Sequence, residues 1–258
     1  MNDPLAVIAE LPGVPEAVQE AREAVDRLYR HPVLRRRSPE VSAESALRGA
    51  RASAAIEGVD VPLEELRRGE VTDPVVQGAL RASTEIGRLT SLWRSAPPQV
   101  LARLHAVAAV GLTDDPGRPR STPTDADPLG LGPAPGPEET AARLSMLTRL
   151  LTGDTKAPAL VLAAIVHAEL VTLRPFGVAD GLVARAAARL TLVERGLDPK
   201  SLCAVEVGHA ELGDAYPEAL RSYQTGTPAG LAGWIRHCAD AVVLGVRETT
   251  AICEALSR

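Results

Sequence analysis

The stretch HAELVTLRPFGVADGLVARAAARL, residues 167–190, decides the fold. It begins inside an apolar segment whose helical pattern runs from Ala157 to Leu173. It breaks at Arg174-Pro175-Phe176-Gly177, where proline lacks an N–H donor and glycine admits left-handed backbone. It resumes as an Ala-rich helix from about Gly181 to Arg195. A helix, a tight glycine-containing loop and a new helix start together aim backbone N–H groups at whatever lies over the loop. Such helix N-termini favour anions.

The same punctuation extends in both directions. After Pro15, the residues Val18, Ala21, Val25 and Leu28 recur at helical spacing and stop near His31-Pro32. Ser38-Pro39 reads as an N-cap with proline at the first helical position, opening a helix through Ala46, Leu47, Ala50 and Ala54 to Gly58. Pro62 opens the short turn LEELRR, and Asp73-Pro74 opens a helix carrying Val76, Leu80, Ile86, Leu89 and Trp93 toward Pro97-Pro98. Another holds Val100, Leu101, Leu104 and Val107; others cover Glu138–Leu151, the region of Leu220 after Tyr216-Pro217, and about Ala229–Leu256. No strand pattern and no repeat interrupts them, so the expected class is all-α. Residues 113–137 break the pattern with seven prolines and four glycines, a composition expected to give a disordered surface excursion. Arg35-Arg36-Arg37 reads as a solvated linker.

Composition agrees. The chain has 258 residues, 45% of them hydrophobic but only 2% aromatic, so its core is built from Ala, Leu and Val, which suits close-packed helices. A net charge of -5 argues against a general nucleic-acid binder. Among 28 basic residues only Lys156 and Lys200 are lysine, which reads as genomic composition before function. Cys203, Cys238 and Cys253 form no CxxC pair and are expected to be buried, reduced thiols. The five histidines, His31, His105, His167, His209 and His237, are scattered without HExxH spacing; His105 and His167 lie on apolar helix faces and read as packed core groups. No metal site and no cofactor are expected. GxGxxG, GxxxxGK[ST] and GxSxG are all missing, which removes the Rossmann, P-loop and hydrolase-elbow readings. The N-terminus has no basic segment leading into an apolar run, and no stretch reaches the ~18 apolar residues of a membrane helix, so a cytoplasmic protein without membrane association is expected.

Residues 174–185, RPFGVADGLVAR, resemble the core of the Fic (Fido) family, whose motif is HPFx(D/E)GNGRxxR, with His167 at the family's upstream histidine. Four further pieces follow in order. Ser53, Glu57 and Gly58 in SAAIEG are similar to the (S/T)xxxE(G/N) inhibitory motif of class II members. LARLH (101–105) is similar to the helix before the family's flap, Gly117 and Arg120 to the flap's opening G..R, and Tyr216, Leu220 and Trp234 to its C-terminal Y..AL and W. The resemblance implies a Fic-like helical domain over residues 38–246, with an N-terminal helical extension at 1–37, the 113–137 loop in the flap region and a helix end at 247–258.

It also implies a damaged site. At the family's catalytic histidine, the general base, stands Arg174, and a guanidinium cannot take a proton from a hydroxyl. Val178 stands at the acidic Mg²⁺ ligand, Ala179 at a glycine of the anion hole, Asp180 at the asparagine among the phosphates, and Leu182 at the first phosphate-clamping arginine. Phe176, Gly181 and Arg185 keep their identities. The expectation is a degenerate Fic-domain protein, bacterial and cytoplasmic, with no catalytic residue. It would act as a non-catalytic binding or regulatory module for a protein partner yet to be named. A transferase of nucleotidyl or phosphate-bearing groups, with Arg174 and Arg185 binding an altered anion, is the alternative. In the family's inhibited members the motif glutamate pairs with the last motif arginine, so a Glu57–Arg185 ion pair is expected. Docking that relies on β-addition to the flap is not expected of so proline-rich a loop.

Overall fold

Proline stands in the first turn of half the helices, where its missing N–H deprives no partner. The computed structural model describes residues 3–257, and among them it contains twelve α-helices and no strand. In chain order these are α1 (Pro4–Ala9), α2 (Val14–Tyr29), α3 (Leu34–Ile56), α4 (Leu63–Arg67), α5 (Pro74–Trp93) and α6 (Pro97–Ala108). They continue with α7 (Pro137–Thr152), α8 (Ala159–Leu173), α9 (Asp180–Glu194), α10 (Val205–Glu211), α11 (Ala215–Gln224) and α12 (Pro228–Ala255). Side chains of Asp3, Asp73 and Thr227 accept first-turn N–H groups of α1, α5 and α12, caps worth about 1 kcal/mol each.

α8 has no polar face because it is buried on all sides, from Leu160 to Leu173 with only Glu169 partly open. It pairs with α9 across the short connection 174–179, and α9 is in turn packed by α3, α5 and α6. α12 packs on α8 and carries α2, α10 and α11. A Cβ on Gly208 would lie 2.0 Å from the carbonyl oxygen of Ala241, so glycine alone lets α10 approach α12 this closely. The two tryptophans are the largest fully buried side chains, and each indole N–H is satisfied: Trp93 donates to Thr191 Oγ1 at 2.9 Å and Trp234 to the Ala164 carbonyl at 2.7 Å.

Three readings of the sequence are revised. Arg35–Arg37 are not a linker but the first turn of α3, which kinks at Arg37 (φ -118°, ψ 20°) before Ser38-Pro39; Arg37 pairs with Glu40 and donates to the Leu256 carbonyl at 2.7 Å. α1 and α10 are too short to show periodicity and went unread. Residues 113–136 have no regular structure, yet they are not a free excursion: Arg174 donates to the Ala126 and Gly132 carbonyls, and the loop's own Arg120 donates to the Arg174 and Pro175 carbonyls. No helix among the described residues is long and apolar enough to cross a membrane.

Candidate functional site

The connection between α8 and α9 is tight because three of its residues take positive φ: Arg174 (46°), Gly177 (81°) and Ala179 (55°). For Arg174 and Ala179 this conformation carries strain of order 1–3 kcal/mol, held by the contacts around it. His105 on α6 is one of them. Its Nδ1 accepts the Gly117 N–H at 2.7 Å, which leaves the ring proton on Nε2 to donate to the Val178 carbonyl at 3.2 Å. The ring stacks on Phe176 at 4.0 Å between centroids and 5° between planes. Burial lowers the His105 pKa, only partly opposed by the bond to Val178, so the imidazole is neutral, as this bonding requires.

Asp180, the first residue of α9, turns its carboxylate back onto the loop, where Oδ1 accepts the Phe176 N–H at 2.9 Å and the Gly177 N–H contributes as well. Burial disfavours its charged form and Glu57 adds repulsion, against the pull of those two amides, and its pKa is pushed up to about 7. The sequence placed this carboxylate among phosphates. In the structure it satisfies the loop amides.

Both motif arginines have intramolecular partners. Arg174 is buried and donates from Nη1 to the Ala126 carbonyl and from Nη2 to the Gly132 carbonyl, with Asp127 Oδ1 3.2 Å from Nη1. Asp127 in turn accepts the Leu131 and Gly132 N–H groups at 2.7 and 2.8 Å, so the arginine and the aspartate together shape residues 126–132. Arg120 fastens the same segment from the other end: its N–H donates to the Pro175 carbonyl at 2.8 Å and its Nε to the Arg174 carbonyl at 2.8 Å, while its guanidinium also reaches Thr122, Pro135, Thr140 and Leu173.

The expected ion pair is present beneath the loop. Arg185 Nη2 lies 2.7 Å from Glu57 Oε1, and the guanidinium also donates to Ser53 Oγ (2.8 Å) and the Ser53 carbonyl (2.9 Å). Glu57 is fixed in place because α3 stops there: Gly58 has φ 91° and the Val59 N–H reaches back to the Ala54 carbonyl at 3.0 Å. The pair also depends on Gly181, since a Cβ there would sit 2.0 Å from Glu57 Oε1. Ser53, Glu57, Gly181 and Arg185, distant in sequence, are thus one interlocked group.

Above the group lies a cavity of about 470 Å³, walled by apolar side chains such as Val75, Leu112, Leu129 and Val171, together with Val178 and Leu182. Glu57, Asp127, Arg174 and Asp180 are its charged lining residues. Behind it, His167 Nε2 is 2.7 Å from the Tyr216 hydroxyl, and His209 Nδ1 is 3.1 Å from His237 Nε2. His167, His209 and Cys238 bring ligand-capable atoms within 4.8 Å of one another in the core. Burial holds the His167 and His209 imidazoles neutral, and the adjacent Arg185 cation pushes the same way. Sequence reading singled out His167 but missed this cluster and Asp127. DPLGLG (127–132), a turn-forming run, was the available signal for Asp127.

No family model matches the chain, and no curated protein matches it at a significant level. Solved structures do. A Fic family protein from Desulfovibrio desulfuricans G20 superposes with a TM-score of 0.79 at 22% identity, covering 93% of this chain and 75% of that one. The fold is that of Fic proteins. Fic-1 from C. elegans (TM-score 0.71, 18% identity, 93% and 73% covered) has the same fold, as does a Fic domain containing signaling protein from Bacteroides thetaiotaomicron (0.64, 14%, 93% and 98%). At such identities the likeness is one of fold, and the chemistry of the Fic-like site rests on this chain's own residues.

Proposed function

We propose that this Fic-fold chain transfers no nucleotide and serves as a non-catalytic binding or regulatory module. One observation carries the reading: the groups that would receive a phosphate already have partners within the chain. The Phe176 and Gly177 amides face the Asp180 carboxylate, Arg174 is held by residues 126–132, and Arg185 by Glu57 and Ser53. An entering phosphate would meet a carboxylate and displace at least one buried hydrogen-bonded group, which opposes binding on both counts.

The site does not fit a Mg²⁺-nucleotide either. Val178 has no oxygen-bearing side chain to offer a hard cation, and its carbonyl is engaged by His105. Arg174 has no proton-accepting form at working pH, so no general base stands at the position the Fic resemblance assigns to it. The role that remains for the cavity and its pinned loop is recognition. Incubation with radiolabelled ATP, Mg²⁺ and cell lysate, followed by mass spectrometry, tests this. No AMP-modified protein is expected; AMP on any target or on the chain itself would favour the transferase reading.

A further inference from the structure

Behind the cavity, three helices each contribute one group able to ligate a metal: His167 from α8, His209 from α10 and Cys238 from α12. Their ligand atoms lie within 4.8 Å of one another, and all three side chains are buried. The sequence hides them, because three positions on three separate helices leave no ligand spacing to read. Gly208 makes the approach possible. With no Cβ, it lets α10 sit against the Ala241 carbonyl and so carries His209 to α12, beside Cys238. Neighbouring groups hold the rings in place: His167 Nε2 meets the Tyr216 hydroxyl, and His209 Nδ1 meets His237 Nε2. Such outer partners orient ligating imidazoles and fix their tautomers. Trp234 lies edge-on to His167 and stacked on His209, so aromatic rings enclose the cluster.

Donor type, donor number and charge together select the ion. The two imidazoles are kept neutral by burial and by the Arg185 cation, and with a thiol beside them they form the donor set that Cu(I) and Zn(II) take. A structural Zn(II) site asks for four ligands, and the cluster has three. Zn(II) with one thiolate would also add a net positive charge to a core where Arg185 already acts on both rings and has Glu57 as its ion-pair partner. Cu(I) with one thiolate adds none. We infer that His167, His209 and Cys238 bind one Cu(I) ion, which fastens α8, α10 and α12 to one another. Binding exchanges the Cys238 proton for the metal: the S–H bond breaks, a Cu–S bond forms, the proton leaves to solvent, and neither sulfur nor copper changes oxidation state. Burial disfavours a free thiolate at Cys238, so the thiol ionises only with the metal. Because the ligands are buried, the ion enters as the three helices close on it. The inference is independent of what the cavity in front of the cluster binds.

Refolding the full chain without oxygen in the presence of Cu(I)-glutathione, then desalting and counting metal by plasma mass spectrometry, tests it. The parent is expected to retain ~1 equivalent of copper, and Cys238→Ala and His209→Gln less than ~0.2. Cys203→Ala and Cys253→Ala, which remove the buried thiols outside the cluster, should still retain ~1 equivalent. Zn(II) supplied in the same way should stay below ~0.2 equivalents. The X-ray absorption spectrum of the copper-loaded parent reads the ligands without any substitution, so a variant that fails to fold does not decide the matter; one sulfur and two nitrogen neighbours are expected. Copper below ~0.2 equivalents in the parent refolded to its native helix content overturns the inference. So does equal retention by a folded Cys238→Ala, zinc retention matching that of copper, or a spectrum with sulfur neighbours alone. None of these results touches the absence of nucleotide transfer.

Discussion

Replacing Glu57 by alanine should destabilise the protein through a partner it leaves behind. The Arg185 side chain is 1% exposed and that of Glu57 12%. Without the carboxylate, the guanidinium keeps Ser53 Oγ and the Ser53 carbonyl, with the neutral Tyr216 hydroxyl alongside and no counter-charge. Removing one member of a buried ion pair typically costs about 3–5 kcal/mol. Because Glu57 sits at the cavity floor, water can reach the space it vacates, which places the loss at the lower end, ~3 kcal/mol. For a chain of this length each kcal/mol moves the melting temperature by about 2–4 °C, so a fall of roughly 6–12 °C is expected. Thermal melts followed by far-ultraviolet circular dichroism measure it. Arg185→Met alone and the double variant Glu57→Ala/Arg185→Met complete a cycle in which the double variant should lose at least ~1.5 kcal/mol less than the sum of the singles. A Glu57→Ala melt within about 2 °C of the parent, or additive singles, would show that the pair is not the fastening it is taken to be.

Two further predictions concern the loop. Asp180 has a folded pKa near 7, raised above the ordinary 3.8, so its contribution to stability is fully present below the unfolded value and is lost as pH rises toward 7. The rise from 3.8 to about 7 corresponds to an upper limit of ~4 kcal/mol. Asp180→Asn removes this titration, and its melting temperature relative to the parent should therefore climb between about pH 5 and pH 8; a constant difference across that range would refute the burial argument. Arg174→Met keeps the apolar stem but loses the bonds to Ala126, Gly132 and Asp127, so thermolysin cleavage around Leu129 and Leu131 should accelerate ~10-fold or more with a smaller change in global melting. Unchanged cleavage would mean that Arg120 alone holds the segment.

The helices were legible because proline, the Asp73 cap and apolar spacing act locally, although Ser38, which reads as a cap, lies inside α3; the α8–loop–α9 passage was legible because its glycine and proline punctuation survives alongside the altered motif residues. Ser53, Glu57, Gly181 and Arg185 could be named from the sequence through family resemblance, but why Gly181 is glycine could not. That depends on Glu57 arriving 2.0 Å from where its Cβ would be, across 124 positions of chain. The flap-region loop misled the sequence reading because composition reports the lack of apolar surface and says nothing of two buried or half-buried arginines donating to its carbonyls. Asp180 misled it differently. A carboxylate at an anion-binding position looks repulsive in one dimension, while in three it folds back to satisfy the amides that define the position.

Calorimetric titration of the intact protein with ATP and Mg²⁺ asks whether loop amides and arginines that have partners within the chain still accept a phosphate. No saturable heat is expected up to ~5 mM nucleotide, nor any for Glu57→Gly, since removing the glutamate frees Arg185 but leaves Asp180 on the Phe176 and Gly177 amides and Val178 without a metal-binding side chain. Saturable binding by the parent protein, or by Glu57→Gly with AMP appearing on the chain or on a target, would contradict this expectation.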